Sequence, residues 1–214
     1  MDRTLEQFNY DRLGNSVFVV GIDIGSVSSG YAFASRNDIM HDPPKLNTDV
    51  WFGSMLLSSK CPTAILLDMN EEIQDFGFKA EEMYSKFLAN NEHDGYYYFK
   101  YFRNDIHLQR EAGNAMIKDV SGKPLKAVQV MGQTIGYFKH EAMNKIRQML
   151  KVHADDDDFY FVLTVPATWN DQERHFMKQA SYVVINYDPD ETTCSAFSYE
   201  KELIHFTLST VFKA

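Results

Sequence analysis

At 214 residues, 44% of them hydrophobic, the chain is long enough to bury one core and falls within the range of a single domain. A net charge of −9 with no basic stripe argues against nucleic acid as a partner, and no apolar run is long enough to span a membrane. The two cysteines, Cys61 and Cys194, are too few for a disulfide framework or a zinc site, and Met1–Gln7 lacks the apolar core of a signal peptide. A reducing, cytoplasmic setting is the expectation.

Residues 1–16 are polar and are expected to form a flexible N-terminus. An apolar run, Val17-Phe18-Val19-Val20, then feeds into Gly21-Ile22-Asp23-Ile24-Gly25, and Tyr31-Ala32-Phe33-Ala34 follows a short polar turn. The pattern predicts strands over 17–24 and 29–35, paired as a hairpin. Glycine lets backbone N–H groups approach a ligand closely, and successive N–H groups in a tight turn form a nest for anions. An Asp at its mouth repels a bare phosphate but suits one that carries hydrated Mg²⁺. Neither Gly-x-Gly-x-x-Gly nor Gly-Lys-Ser/Thr before a helix occurs here, which excludes the two commoner phosphate loops. By itself, Gly-x-Asp-x-Gly fits two readings: a metal-nucleotide loop, or a hairpin whose Asp merely caps the turn.

Further strands are expected at 50–57 and 63–68, with Pro43-Pro44 and Cys61-Pro62 breaking the runs. A helix is expected from Ala80 to about Asn90. Tyr96-Tyr97-Tyr98-Phe99 reads as an element edge packed on the core in preference to a stacking platform. Ser121-Gly122-Lys123-Pro124 is a turn that places Lys126 to Met131 on a short strand. Ile135, Phe138, Ala142, Ile146 and Met149 recur at helical spacing through Thr134–Leu150 and predict a core-facing helix. Asp155-Asp156-Asp157-Asp158 reads as a solvated acidic loop, although four carboxylates could hold a divalent cation weakly. No histidine has a partner at metal-ligand spacing, and no Ser/His/Asp arrangement is legible.

Phe159 to Val165 reads as a buried strand ended by Pro166. Asn170 or Asp171 can cap the following short helix, with Glu173 as the reciprocal capping partner of Asn170 and Lys178 toward its end. Together, Gly21–Ser28 and Thr164-Val165-Pro166-Ala167-Thr168-Trp169-Asn170-Asp171-Gln172-Glu173-Arg174 resemble the nucleotide-binding domain of the 70-kDa heat-shock family, in the actin-like ATPase superfamily. That family reads Gly-Ile-Asp-Leu-Gly-Thr-Thr in the first loop. Its later segment reads Thr-Val-Pro-Ala, an aromatic, Asn-Asp and a nearby Arg. Ser29–Ala34, Pro62–Leu67 and Trp169 with Gln172-Glu173-Arg174 look most like the divergent "member 12" branch, and Gly77-Phe78-Lys79-Ala80-Glu81 sits where the family has Gly-x-x-Ala.

The resemblance covers roughly residues 17–180 and implies an α/β fold. That fold is the first lobe of an actin-like (ribonuclease H-like) ATPase, a mixed sheet with flanking helices forming an incomplete domain. It implies ATP or ADP with Mg²⁺ as cofactors. Asp23 would face the metal's water shell, and Gly25, Ser26, Val27 and Ser28 would cradle the phosphates. The family has Thr-Thr where this chain has Ser26-Val27, so one hydroxyl is missing unless Ser28 supplies it. Lys100 sits near the family's phosphate-neutralising lysine, a place that Arg103 or a merely solvated Lys fits almost as well. Pro166 and Asp171 resemble hinge and water-positioning residues.

The family's second phosphate loop carries consecutive glycines, and this chain has no Gly-Gly pair. Ser181–Asp190 could continue as strand and turn, and 181–214 is expected to be a divergent tail. The reading is therefore one side of an ATP cleft with little or no ATPase activity alone. The alternative is a non-enzymatic relative that binds other proteins through the lobe face a second lobe would cover. A sugar-kinase-like enzyme fits less well, since no sugar-contacting set is visible.

Overall fold

A computed structural model describes residues 15–41, 44–53, 57–108, 115–151, 153–165, 169–185 and 197–198. The expected flexible N-terminus (to residue 14), Pro166, Cys194 and most of the expected tail lie outside the described residues.

The centre is a mixed sheet. β1 (Phe18–Ile24) and β2 (Ser28–Ser35) form the expected hairpin, with Phe18 opposite Ser35 and Ile24 opposite Ser29. Both strands are buried along nearly their whole length, so apolar residues occupy both faces and the runs are continuous instead of alternating. β3 (Asn47–Thr48) pairs with β2 beyond the short helix α1 (Arg36–Ile39), whose N-terminus the Ser35 hydroxyl caps. The 50–57 segment is two strands, β4 (Trp51–Phe52) and β5 (Leu57–Ser58), paired antiparallel as a small ribbon. Next, β6 (Cys61–Pro62) pairs with the start of β2, Ser29 opposite Cys61. Cys61 is buried and its thiol pKa is pushed up by burial, as a packing residue requires.

β7 (Ala64–Asp68), β8 (Ile73–Phe76) and β9 (Tyr96–Lys100) make a second, antiparallel sheet in the order β8-β7-β9. Helix α2 (Gly77–Ala89) begins three residues before the expected start and covers one face of this sheet. The aromatic run is that sheet's edge: Tyr98 stacks on Tyr84 at 4.2 Å and Tyr96 on Phe87 at 4.2 Å. Tyr98 and Phe99 are buried in the core, and Tyr96 and Tyr97 are half-buried against it.

Helix α3 (Arg103–Leu108) leads to a hairpin of β10 (Met116–Lys118) and β11 (Pro124–Lys126) around the expected Ser121–Pro124 turn. The expected strand over Lys126–Met131 is not formed. Its residues after Lys126 begin α4 (Ala127–Leu150), because Ala127, Val130, Met131 and Thr134 continue the buried stripe of Ile135, Phe138, Ala142 and Ile146. Core contact along that stripe outweighs the local preference of Val for strand. Met149 falls off the stripe and is exposed. Lys151, with φ 52°, closes the helix in the left-handed region.

β12 (Phe159–Leu163) is wholly buried and runs parallel to β1, Phe18 opposite Phe159 through Ile22 opposite Leu163. Just before it, the acidic run is used internally. Asp155 and Asp158 form a reciprocal cap, while Asp156 meets Lys139 and Arg147. Helix α5 (Asp171–Ile185) is longer than expected and takes in Ser181 to Ile185, so those residues are not a strand. It crosses close to α4 at Gly132, where a Cβ would lie 2.8 Å from the Val183 Cβ and 3.1 Å from the Ala180 carbonyl oxygen. β13 (Phe197–Ser198) extends the main sheet to the order β13-β12-β1-β2-β3. The architecture is α/β, a mixed sheet with flanking helices. Among the described residues no helix is long and apolar enough to cross a membrane.

Candidate functional site

Parallel pairing of β1 with β12 brings the two sequence motifs to one edge of the sheet. Thr164 donates its backbone N–H to the Ile22 carbonyl at 3.0 Å, continuing the ladder one residue past β12. Its side-chain hydroxyl donates to Asp23 Oδ1 at 2.7 Å. The other carboxylate oxygen, Oδ2, accepts from Lys60 Nζ. A carboxylate held from two sides at a strand end keeps one orientation, because each oxygen has its own donor.

The turn after Asp23 is equally constrained. A Cβ on Gly25 would sit 2.2 Å from the Ser28 carbonyl oxygen, so no side chain fits without moving the backbone. Thr63, fully buried between β6 and β7, holds this turn by three bonds. Its N–H donates to the Val27 carbonyl at 2.9 Å and its hydroxyl to the Gly25 carbonyl at 2.8 Å. The Thr63 hydroxyl has one proton, which goes to Gly25. The buried Ser29 hydroxyl, 2.7 Å away, is therefore the donor in the third bond. Thr63 also accepts from the Tyr101 N–H at 3.0 Å, tying the turn to the segment that carries Lys100 and Arg103. Val27 is two-thirds exposed at 65%, so the tip of the turn faces solvent.

One cation contacts Asp23 and a second acts on it at longer range. Lys60 immediately precedes β6, whose pairing with Ser28 and Ser29 keeps it beside the turn. The Arg103 guanidinium lies over the Trp169 ring, 5.0 Å from its centroid. Burial lowers the Arg103 pKa, and the charge of Asp23 opposes that shift, which places the two groups within electrostatic reach. Lys60 in contact and Arg103 at longer range thus offset the charge of the carboxylate. This donor set suits a phosphate, and the oriented carboxylate suits a hydrated divalent cation held beside it.

Lys100 is paired with Ala64, next to Thr63, at the end of β9. It shares the face of β9 that carries Tyr98, turned toward α2, and its Nζ meets Glu81 Oε1 at 2.7 Å. That hydrogen bond raises its pKa. Asp171, 98% exposed, opens α5 and pairs with Arg174 at 2.8 Å. The capping box is formed as expected: Asn170 accepts from the Glu173 N–H at 3.0 Å, and Glu173 accepts from the Asn170 N–H at 2.7 Å. Arg174 also donates to the Trp169 carbonyl at 2.6 Å, so among the described residues a chain of contacts runs from Asp171 through Arg174 and Trp169 to Arg103. Asp23 and Gly25–Ser28 are together, Asp171 is exposed at the start of α5 and paired with Arg174, and Lys100 is engaged with Glu81. Sequence reasoning gave no role to Lys60, Thr63 or Thr164. The only local signal for Lys60 was its place two residues before Pro62, at the head of a segment that matched the branch pattern.

No family model matches the chain. Among curated proteins it is 31% identical to human heat shock 70 kDa protein 12B over 170 residues, 77% of this chain and 24% of that protein. It is 28% identical to human heat shock 70 kDa protein 12A over 189 residues, 86% of this chain and 27% of that protein, and 27% identical to the mouse 12A protein over the same length. The chain thus spans about a quarter of the length of the curated relatives it matches. A solved structure, MreB5 of Spiroplasma citri bound to ADP, covers 88% of this chain and 39% of its own at a TM-score of 0.40 and 10% identity. By sequence, over most of its own length, the chain is a homologue of the member 12 branch of the 70-kDa heat-shock family.

Proposed function

We propose that the turn from Asp23 to Ser28 binds the phosphate end of ATP or ADP together with hydrated Mg²⁺, as part of the nucleotide-binding lobe of a heat-shock-type, actin-like ATPase. The observation that carries this reading is the Asp23 carboxylate, fixed by Thr164 and Lys60 at the end of a central strand, beside a turn that admits no Cβ at Gly25. Backbone and hydroxyl donors of Gly25, Ser26, Val27 and Ser28 contact the phosphates, and Ser28 takes the place of the hydroxyl that Val27 lacks. Asp23 orients metal-bound water, and Asp171 positions the attacking water. Mg²⁺, when bound, neutralises the charge that builds on the phosphates. For the whole protein, a cytoplasmic, nucleotide-dependent chaperone-like role is the corresponding proposal. The phosphate and metal contacts are assigned to this chain; adenine and ribose contacts are assigned to none of its residues.

Thermal unfolding with and without ATP–Mg²⁺ tests the reading, because a ligand bound only by the native state raises the midpoint. At about ten times Kd the gain is about 1.4 kcal/mol, which shifts the midpoint of a chain this size by roughly 3–6 °C. Asp23→Asn, nearly isosteric, is expected to abolish the shift while keeping the far-UV circular dichroism of the wild type. No shift for the wild type at millimolar ATP–Mg²⁺ sinks the proposal.

A further inference from the structure

We infer that Lys60 is the cation that neutralises the bound phosphates, a role the family resemblance had pointed toward Lys100. This inference rests on the phosphate-site reading above. Three observations carry it. Lys60 Nζ contacts Asp23 Oδ2, so its ammonium already stands at the carboxylate assigned to the metal-phosphate end. Its backbone is anchored to the turn, since Cys61 and Pro62 pair with Ser29 and Ser28. The third is the difference in partner: Lys100 Nζ meets Glu81 of α2, whereas Lys60 Nζ meets Asp23 itself.

The chemistry follows from charge balance. Without ligand, Lys60 neutralises Asp23 and keeps an otherwise repulsive carboxylate compatible with an anion-binding turn. With metal-nucleotide bound, Asp23 would face the metal's water shell and Lys60 would be released from it. The Lys60 stem, flexible over four carbons and rooted next to Cys61, which pairs with Ser29, would then carry its charge to the phosphate oxygens. Arg103 stays on Trp169 and keeps its longer-range positive charge on Asp23. Lys60 therefore acts as an exchangeable counter-ion, paired with carboxylate in one state and with phosphate in the other.

Titration of the full chain with ATP–Mg²⁺ and with pyrophosphate–Mg²⁺ tests the assignment on Lys60→Met, Lys60→Arg and Asp23→Asn. Losing one charge-assisted hydrogen bond is expected to weaken both ligands about ten- to a hundredfold in Lys60→Met. Lys60→Arg, which restores the charge, is expected to recover most of that affinity. A purely structural Lys60 would lower the ligand-free unfolding midpoint and leave both dissociation constants unchanged, which would overturn the inference. Wild-type affinity in a folded Lys60→Met alongside a defective Asp23→Asn rejects Lys60 and leaves the phosphate-turn reading standing. Absence of binding in the wild type rejects both.

Discussion

Truncating Phe138 to alanine is expected to lower the unfolding free energy by about 3–5 kcal/mol. Phe138 is fully buried on the core-facing stripe of α4. Its ring centroid lies 5.0 Å from Phe76, 5.6 Å from Tyr137, 5.9 Å from Trp51 and 6.3 Å from Tyr31. Those residues come from β8, α4, β4 and β2, so one ring joins the main sheet, the second sheet and the ribbon. Removing it opens a cavity whose walls are held by four elements and cannot collapse freely. Tyr31 is further pinned by donating its hydroxyl to Asp49 Oδ2 at 3.1 Å, and Asp49 in turn meets Lys145 at 2.6 Å. A loss of this size is a third or more of the stability of a typical domain. Urea unfolding of Phe138→Ala and Phe138→Leu measures it; a cost below about 1 kcal/mol for the alanine variant would contradict this account of the core.

The second large effect is expected at Thr63. Thr63→Val keeps the shape but replaces the hydroxyl that bridges Gly25 and Ser29. The Ser29 hydroxyl is fully buried and loses its acceptor, while the Gly25 carbonyl, in a half-exposed turn, regains part of its hydration. An unsatisfied buried group costs about 1–3 kcal/mol, so the expected total is about 2–3 kcal/mol. Thr63→Ser retains the hydroxyl and should cost only about 1 kcal/mol for the lost methyl. The same variant loosens the turn, so ATP–Mg²⁺ affinity should fall in Thr63→Val and persist in Thr63→Ser. Equal stability of the valine and serine variants would show that the bridge does not hold the turn.

The legible parts of the site were the local ones. Val17 to Gly25 gave both the buried strand and the turn, because a continuous apolar run that ends in Gly-x-Asp-x-Gly constrains backbone and charge within a few residues. Asn170 and Glu173 revealed their reciprocal cap for the same reason, three positions apart on one helix start. The Asp23–Lys60 contact spans 37 positions and Asp23–Thr164 spans 141, and such pairings follow from sheet register, which periodicity does not encode. Lys100 shows the complementary difficulty. A lysine at the end of an aromatic strand can face either side, and here stacking of Tyr98 on Tyr84 sets the face that turns Lys100 to Glu81. The start of α4 was hidden because Ala127 to Met131 is equally acceptable as strand until the rest of the buried stripe is in place.

The central claim is that this chain reads the phosphate and metal end of a nucleotide through Asp23 and its turn. Calorimetric titration of the wild-type chain with pyrophosphate–Mg²⁺, and separately with adenosine, tests it most directly. The account predicts saturable binding of pyrophosphate–Mg²⁺ that disappears in Asp23→Asn, and no measurable binding of adenosine. Adenosine binding without pyrophosphate binding, or undiminished pyrophosphate–Mg²⁺ binding by Asp23→Asn, would contradict it.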